Sequence, residues 1–258
     1  MYSLKNKVSI VTGGSNGIGK SVTQLLSISG SVTYFLDLNE DEGRKLEDEL
    51  NQKGYKAHFV KCDVSDHSMV SQVITRIAHE NDQIDILVNN AGIAHIGTAT
   101  STTPDDMDRI VSVNINGVFN CLNATIPFMQ KSGGGVIINM TSVAAEMGIA
   151  ERFAYSMSKG AVSAMTLSVA KDYINDNIRC NGIAPGRVHT PFVDNYLKKT
   201  YPGKEDEMFE KLSKTQPIGR MGKPEEIASL IGFLCSDEAA FITGTIYPID
   251  GGFIKLNS

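Results

Sequence analysis

The chain has 258 residues and a formal net charge of −5, a length that suits one doubly wound α/β domain covering residues 1–258. The mild acidity, with no long basic run, argues against a nucleic-acid partner or an anionic membrane surface. No segment has the apolar length of a membrane span or signal peptide, so we expect a cytoplasmic protein.

The four cysteines and five histidines show none of the spacings that are typical of metal sites. Each cysteine lies in or beside an apolar segment, which predicts buried thiols in a reducing compartment. We therefore expect no catalytic metal, and partners that are small molecules or other protein chains.

Short β-branched runs alternate with longer amphipathic stretches along the chain, a pattern typical of βαβ units around a parallel sheet. The pattern predicts about seven strands, at residues 8–11, 32–36, 57–60, 84–88, 136–140, 178–182 and 246–249. Helices are predicted at 18–29, 41–53, 105–129 and 153–174. The predicted fold class is α/β, with a single Rossmann-type, doubly wound parallel sheet flanked by helices.

One stretch, residues 187–221, interrupts this alternation with prolines, tyrosines and many charges before the next regular helix. Residues 193–199 and 205–214 have helical spacing within it. Because long excursions in compact domains usually carry function, we predict a small helical lid over a substrate site. A solvated insertion without a function is the alternative.

A glycine-rich turn joins the first predicted strand to the first predicted helix. Its glycines, Gly13, Gly17 and Gly19, permit a tight turn and let backbone amides approach a pyrophosphate at the positive end of the helix. An ordinary strand-to-helix loop is the alternative interpretation. The position of the turn favours a dinucleotide site.

Asp37 ends the second predicted strand, eighteen residues after Gly19. An acid at this position can accept hydrogen bonds from the adenosine ribose hydroxyls, and it repels a ribose 2′-phosphate. Neither Asn16 nor Leu38 supplies the cation that a phosphorylated cofactor requires, so we predict NAD rather than NADP. A simple cap at the strand end is the alternative role for Asp37.

Tyr155 and Lys159 lie four residues apart and therefore share one helix face. The ammonium can lower the pKa of the phenol, which makes it a usable acid or base at neutral pH. Ser142 closes the fifth predicted strand, at the carboxyl edge where open α/β sheets bind ligands. The combination indicates redox chemistry on an alcohol, although a solvated helix pair is the simpler alternative.

Over essentially its whole length the chain resembles the short-chain dehydrogenase/reductases. The resemblance is carried, in chain order, by Thr12–Gly19, Asp63-Val64, Asn89-Asn90-Ala91-Gly92, Asn114, Ser142, Tyr155, Lys159, Pro185-Gly186, Thr190 and Ile249-Asp250-Gly251-Gly252. It implies that Tyr155 exchanges a proton with the substrate oxygen and that Ser142 hydrogen-bonds this oxygen. It also implies that Lys159 holds the nicotinamide ribose and lowers the tyrosine pKa, and that Asn114 positions a water linking Lys159 to solvent.

The resemblance implies an NAD site made of three groups of residues. The turn contributes Gly13, Ser15, Asn16, Gly17, Ile18 and Gly19. The adenosine half is expected to contact Asp37, Asp63, Val64, Asn90 and Gly92. The nicotinamide half is expected to contact Tyr155, Lys159, Pro185, Gly186, Val188 and Thr190.

The substrate pocket is predicted to be polar and cationic. Arg152 lies three residues before Tyr155, and Arg187 follows the Pro-Gly pair, so either can reach a carboxylate or sugar hydroxyls. His95 and Glu146 are further candidate substrate contacts. Such a pocket disfavours a steroid or a long acyl chain. Surface ion pairs are the alternative role for both arginines.

Residues 186–194 and 216–222 resemble family members that oxidise L-fucose or its sugar-acid breakdown products. The expected substrate is therefore a small polar molecule such as 2-keto-3-deoxy-L-fuconate or L-fucose. A 3-hydroxybutyrate-type dehydrogenase, a 3-oxoacyl reductase and a non-catalytic NAD-binding sensor are the alternatives. The resemblance further implies a homotetramer.

Overall fold

Short runs rich in β-branched and aliphatic residues form the strands of this protein. The computed structural model describes residues 2–256, and its strands are β1 Val8–Thr12, β2 Val32–Asp37, β3 Ala57–Lys61, β4 Ile86–Asn89, β5 Gly135–Met140, β6 Ile178–Pro185 and β7 Ile246–Ile249. In the described residues these seven pair in parallel in one sheet, in the order β3-β2-β1-β4-β5-β6-β7. The predicted fold class is confirmed.

Helices connect the strands and cover both faces of the sheet. They are α1 Gly17–Ile28, α2 Glu40–Gln52, α3 His67–Asn81, α4 Pro104–Ile110, α5 Gly117–Ser132, α6 Phe153–Asp172, α7 Pro191–Thr200, α8 Glu205–Lys214, α9 Pro224–Cys235 and α10 Phe253–Leu256. Side chains of Asn39, Asp66 and Thr103 cap α2, α3 and α4 by accepting backbone N–H groups. No helix in residues 2–256 has the length and apolar character that a bilayer crossing requires.

The sheet is buried on both faces, as expected for parallel strands covered by helices. Along β1, Ile10 belongs to an apolar cluster that includes Ile74 of α3 and Leu122 of α5. The next residue, Val11, belongs to a second cluster on the opposite face, which includes Leu26 of α1. The alternation along the strand therefore anchors a helical layer on each side.

The order of the strands reverses at β1, which lies between β2 and β4. From β1 the chain passes to β2 and β3, which lie on one side of β1. The later strands lie on the other side, in the order β4, β5, β6, β7. Helices diverge at such a switch point and leave a crevice at the carboxyl ends of the strands. The topology therefore positions a ligand site next to the glycine-rich turn.

The prediction of a single helix over residues 105–129 is wrong in the middle of this range. The structure has α4, then a π-helical segment Val111–Asn116, then α5. Asn114 lies in this wider turn, and its buried carboxamide bonds to the backbone of Ile93. The tertiary contact explains the local distortion, because periodicity along the chain does not reveal a bond to a distant loop.

The fourth strand begins at Ile86 rather than at the predicted Ile84. The Asp85 carboxylate accepts the Val8 N–H at 2.8 Å, and it also contacts the Lys7 ammonium at 3.2 Å. The Asp85 side chain thus accepts the Val8 N–H, which a backbone carbonyl of the neighbouring strand would accept in a continuous sheet ladder. The apolar Ile84 is buried in the core without belonging to the strand.

The segment predicted to form a lid contains α7 and α8. The bounds predicted for α8 are confirmed, and its acidic first turn and basic last turn complement the helix dipole. Helix α7 begins at Pro191, two residues before the predicted start, because proline suits the first turn of a helix. The role of these helices as a lid stays a prediction.

Candidate active site

A cleft of about 770 Å³ opens at the carboxyl edge of the sheet, between the segments that follow β1 to β6. The predicted site residues on its walls are Gly13, Asn16, Gly17, Ile18, Gly19, Asp37, Asp63, Val64, Asn90, Gly92, Ser142, Arg152, Tyr155, Lys159, Pro185, Gly186, Arg187, Val188 and Thr190. The other predicted residues, which are not on the walls, are Ser15, His95, Asn114 and Glu146. In residues 2–256, no three His, Cys, Asp or Glu side chains are grouped as a metal site.

The glycine-rich turn packs closely against the start of α1. Gly13 and Gly17 have φ values of 62° and 52°, in the left-handed region that favours glycine. A Cβ at Gly19 would overlap the Gly13 carbonyl oxygen, so only glycine fits there. The resulting cradle of backbone amides at a helix N-terminus fits a dinucleotide pyrophosphate.

Asn90 connects the glycine-rich turn to the end of β4. Its side-chain Nδ2 donates to the carbonyls of Thr12 and Gly13, each at 3.0 Å, and its backbone N–H donates to the Thr12 hydroxyl at 3.0 Å. The carboxamide therefore holds the shape of the turn while one edge of the residue faces the cleft.

Two carboxylates lie at the end of the cleft formed by β2 and β3. The Asp37 carboxylate accepts the backbone N–H of Ser15 at 3.0 Å and that of Asn39 at 3.1 Å. The Asp63 carboxylate accepts the backbone N–H and the hydroxyl of Ser65, at 2.9 and 2.7 Å. Ser15, a predicted cofactor contact, is buried in the turn, and its backbone N–H orients Asp37.

Ser142, Tyr155 and Lys159 lie together where β5 ends and α6 begins. The Lys159 side chain is buried, and its Nζ donates to the Met140 carbonyl at 2.7 Å. The same Nζ lies 5.8 Å from the centre of the Tyr155 ring. A phenol, a hydroxyl and an ammonium thus share one wall of the cleft, which is the arrangement that acid–base chemistry on an alcohol requires.

Burial is the main cause of the pKa shifts of Tyr155 and Lys159. It raises the pKa of the Tyr155 phenol, and the Ser142 hydroxyl and the Arg152 charge oppose this rise. Burial also lowers the pKa of the Lys159 ammonium to about 8. The prediction that Lys159 lowers the Tyr155 pKa differs from what the structure shows, because this ammonium lies over the ring and is engaged by the Met140 carbonyl.

Asn114 lies beneath the cleft and joins two of its walls. Its Oδ1 accepts the Ile93 N–H at 2.8 Å, and its Nδ2 donates to the Ile93 carbonyl at 2.9 Å and to the Ser158 hydroxyl at 3.0 Å. The Ser158 hydroxyl in turn donates to the Tyr155 carbonyl at 2.8 Å. The loop after β4 is therefore fixed relative to the helix that carries the phenol.

The predicted substrate contacts His95 and Glu146 do not lie on the cleft wall. The His95 ring points away, with Nε2 3.3 Å from the Thr102 hydroxyl and Nδ1 3.7 Å from the Asp106 carboxylate. Glu146 is exposed after the short 3₁₀ turn Val143–Ala145. Nearness along the chain to a catalytic segment did not determine where these side chains point.

Backbone hydrogen bonds fix Arg187 and the segment after β6. The Arg187 carbonyl accepts the Gly222 N–H at 2.8 Å, and the Gly222 carbonyl accepts the His189 N–H at 2.9 Å. Gln216, which sequence reasoning missed, is buried and accepts the Arg187 N–H at 3.1 Å. A Cβ at Gly186 would lie 2.6 Å from the Gln216 Oε1, so glycine lets this segment pass close to the lid.

Tyr196 is another residue of the cleft that sequence reasoning missed as a site residue. It lies on α7, four residues after Phe192, which also lines the cleft. The helical spacing of these two aromatic residues is a signal that could have placed both on one face of the lid.

Comparisons with known proteins indicate the same class of chemistry. A family model described as enoyl-(acyl carrier protein) reductase matches residues 13–254. The chain belongs to the short-chain dehydrogenase/reductase family. This dehydrogenase/reductase is 36% identical to the oxidoreductase UcpA of Salmonella typhimurium over 254 residues, which are 98% of this chain and 96% of UcpA.

Two further relatives of this dehydrogenase/reductase differ from each other in the substrates that they are named for. It is 34% identical to the 3-oxoacyl-[acyl-carrier-protein] reductase FabG of Thermotoga maritima over 251 residues, covering 97% of this chain and 99% of FabG. It matches the structure of the aldohexose dehydrogenase AldT of Thermoplasma acidophilum with a TM-score of 0.90 and 34% identity, covering 98% of this chain and 96% of AldT. The family uses nicotinamide cofactors, and this protein is an oxidoreductase.

Proposed function

We propose that this short-chain dehydrogenase/reductase is an NAD-dependent enzyme that interconverts a secondary alcohol and a ketone on a sugar or sugar acid. The observation that carries the proposal is a single cleft with Asp37 and the glycine-rich turn at one end and Tyr155, Ser142 and Lys159 at the other. A dinucleotide lying along this cleft would bring its nicotinamide to the phenol.

The proposed mechanism divides the work among three side chains. In the oxidation direction the Tyr155 phenolate takes the proton of the substrate hydroxyl, and in reduction the phenol returns a proton to the carbonyl oxygen. The Ser142 hydroxyl donates a hydrogen bond to this oxygen. Lys159 would hold the cofactor ribose by a hydrogen bond from its ammonium. A nicotinamide bound in the cleft would accept or supply the hydride.

The preference for NAD over NADP rests on Asp37. Two backbone N–H groups orient its carboxylate, at the point of the cleft where an adenosine ribose would lie. The neighbouring Asp63 carboxylate adds a second negative charge to this end of the cleft. A ribose 2′-phosphate would meet like charge there, whereas ribose hydroxyls would donate hydrogen bonds.

We expect Asp37→Ala to lower kcat/KM for NAD about 10-fold and to raise it for NADP, because the variant loses a charged acceptor and a source of repulsion. Initial rates with each cofactor measure the two effects. Asp48→Ala, on the exposed face of α2, is the matched control and should change neither value. A variant that keeps its preference for NAD would show that another group selects the cofactor.

The proposed substrate is 2-keto-3-deoxy-L-fuconate or L-fucose. The two arginines on the cleft wall support a polar substrate, and the likeness to an aldohexose dehydrogenase supports a sugar-derived one. The likeness to a 3-oxoacyl reductase supports the acyl alternative. Arg152 beside the phenol equally suits a small acid such as 3-hydroxybutyrate.

The test is the appearance of NADH or NADPH absorbance when purified protein is incubated with NAD or NADP, respectively, and a set of substrates. The set contains L-fucose, L-fuconate, 2-keto-3-deoxy-L-fuconate and 3-hydroxybutyrate, with NADPH-dependent reduction of an acetoacetyl thioester measured alongside. Turnover of a sugar or sugar acid with NAD supports the proposal. Activity confined to the thioester with NADPH would contradict it.

We also propose that the enzyme is a cytoplasmic homotetramer. The four cysteines are unpaired and buried, which supports a reducing compartment. Apolar side chains are exposed on α5 and α6, namely Phe119, Phe153, Met157 and Leu167. Helix faces of this kind suit burial between subunits. Light scattering should give the mass of four chains, and the mass of one chain would overturn the assembly.

A further inference from the structure

Charged side chains in the cleft are separated by sign. The carboxylates of Asp37 and Asp63 lie where β2 and β3 end, whereas Arg152 and Arg187 lie beyond β5 and β6. Four strand spacings separate β2 from β6 in the sheet, which is about 19 Å. The arginines are therefore too distant to bind a phosphate group beside Asp37, and they belong to the part of the cleft that holds Tyr155.

Neither of these arginines has an acidic partner. Arg187 donates from Nε to the Thr215 hydroxyl at 3.0 Å, and Arg152 donates from one terminal nitrogen to the Glu151 carbonyl at 3.1 Å. In residues 2–256, no carboxylate lies within 4.0 Å of either guanidinium. Arg44, Arg76 and Arg220 each pair with a glutamate, whereas in the described residues Arg109 and Arg179 have no ion pair either.

The two guanidinium groups are close enough to influence each other. Burial lowers the pKa of Arg187, and the Arg152 charge lowers it further. Burial and a hydrogen bond to Tyr201 raise the pKa of the Tyr196 phenol, and the charges of Arg152 and Arg187 oppose this rise. All three side chains line the same cleft. Half-buried like charges repel each other unless an anion neutralises them.

We propose that Arg152, Arg187 and the Tyr196 hydroxyl bind a carboxylate of the substrate, which is therefore a small hydroxy or keto acid rather than a neutral sugar. This inference rests on the proposed function and narrows its substrate class. The planar guanidinium matches a carboxylate with two parallel hydrogen bonds, and the phenol adds a third donor. Phe192, on the same helix as Tyr196, supplies an apolar surface for a methyl or methylene group.

A small acid fits this site better than the acidic surface of a carrier protein does. Arg187 is half-buried within the cleft, and its main chain is fixed by Gln216 and Gly222. An acidic protein partner needs arginines that project from the surface, whereas a small carboxylate can enter between the lid and Tyr155.

Two pairs of compounds, matched except for the carboxylate, test the proposal. L-fucitol carries a hydroxymethyl group where L-fuconate has its carboxylate, and butane-1,3-diol stands in the same relation to 3-hydroxybutyrate. NADH-loaded protein is titrated with all four compounds, and the change in NADH fluorescence reports binding. We expect each acid to bind about 10- to 100-fold more tightly than its alcohol, because charge-assisted hydrogen bonds form only with the acid.

Variants of the same protein test which residues create this preference. Arg152→Gln and Arg187→Gln should each reduce the preference to about 3-fold and leave alcohol binding unchanged, and Tyr196→Phe should reduce it by less. The control is Arg76→Gln, on the exposed face of α3, which should keep the full preference. NADH affinity and melting temperature of each variant show whether it is folded.

Binding and turnover distinguish this proposal from the proposed function. Equal binding of acid and alcohol, no binding of either acid, or equal loss of both in the arginine variants would overturn the carboxylate site. A preference for binding acids that is lost in the arginine variants supports the carboxylate site, whether or not any acid reduces NAD. If the acids bind but none reduces NAD, this absence of turnover would count against the proposed function alone.

Discussion

We expect the Tyr155→Phe variant to turn over about 10³-fold more slowly than the wild type while it binds NADH with unchanged affinity. The phenol is half-buried on the cleft wall beside the Ser142 hydroxyl, and replacement removes one oxygen while the ring keeps its packing. Initial rates with the substrate selected by the assay, and NADH fluorescence titration, measure the two quantities. Loss of rate without loss of affinity would identify a group that acts on the reacting atoms.

The matched control is Tyr173→Phe, at the far end of α6, which should retain the wild-type rate. The pH dependence provides a second readout. Because the phenolate is the base for alcohol oxidation, and burial raises the pKa of Tyr155, the oxidation rate should increase as the pH rises above neutrality. A Tyr155→Phe variant that keeps a tenth of the rate or more would exclude the phenol as the main acid–base group.

The Lys159→Met variant should be inactive and more stable than the wild type at pH 7. Burial lowers the pKa of this ammonium from its ordinary value of 10.5 to about 8, which costs the folded state about 3 kcal/mol at neutral pH. Methionine has a similar length and no charge, but it leaves the Met140 carbonyl without its donor. The net gain is about 1 to 2 kcal/mol, or a melting temperature higher by about 4 °C.

The sign of the pH dependence follows from the lowered pKa. The unfolded chain holds the lysine proton more tightly than the folded chain, so the wild type gains stability as the pH rises from about 8 to 10.5. The advantage of Lys159→Met should therefore be full below pH 8 and shrink above it. Denaturant melts at several pH values measure this difference, and the exposed Lys171→Met on the same helix is the control. If Lys159→Met is no more stable than the wild type, or if its gain in stability does not change with pH, the charge of the buried lysine does not destabilise the fold.

Sequence reasoning predicted the elements of the fold well where local chemistry decides them. The strands follow from β-branched runs, and the bounds of α8 follow from the helical spacing of residues 205–214. It failed at the π-helical segment Val111–Asn116 and at the start of β4, because side chains of Asn114 and Asp85 bond to distant backbone there.

In the candidate site, too, sequence reasoning succeeded where local sequence determines a residue's position and failed where tertiary packing does. The glycines of the turn and Asp37 were predicted from their positions at strand ends and a helix start, and Tyr155 from its spacing to Lys159; all of them line one cleft. The misplacement of His95 and the omission of Tyr196 have a common cause. Each depends on how a loop or a lid helix packs against the sheet, and this packing is not encoded in the spacing of residues along the chain.

The most direct test is a crystal structure of the protein with NADH and L-fuconate bound. We predict adenosine ribose hydroxyls within about 3 Å of the Asp37 carboxylate. The nicotinamide should lie beside Tyr155, and the acid's carboxylate should lie between Arg152 and Arg187. A dinucleotide bound in the reverse direction, or an acid whose carboxylate faces away from both arginines, would contradict the proposed binding mode.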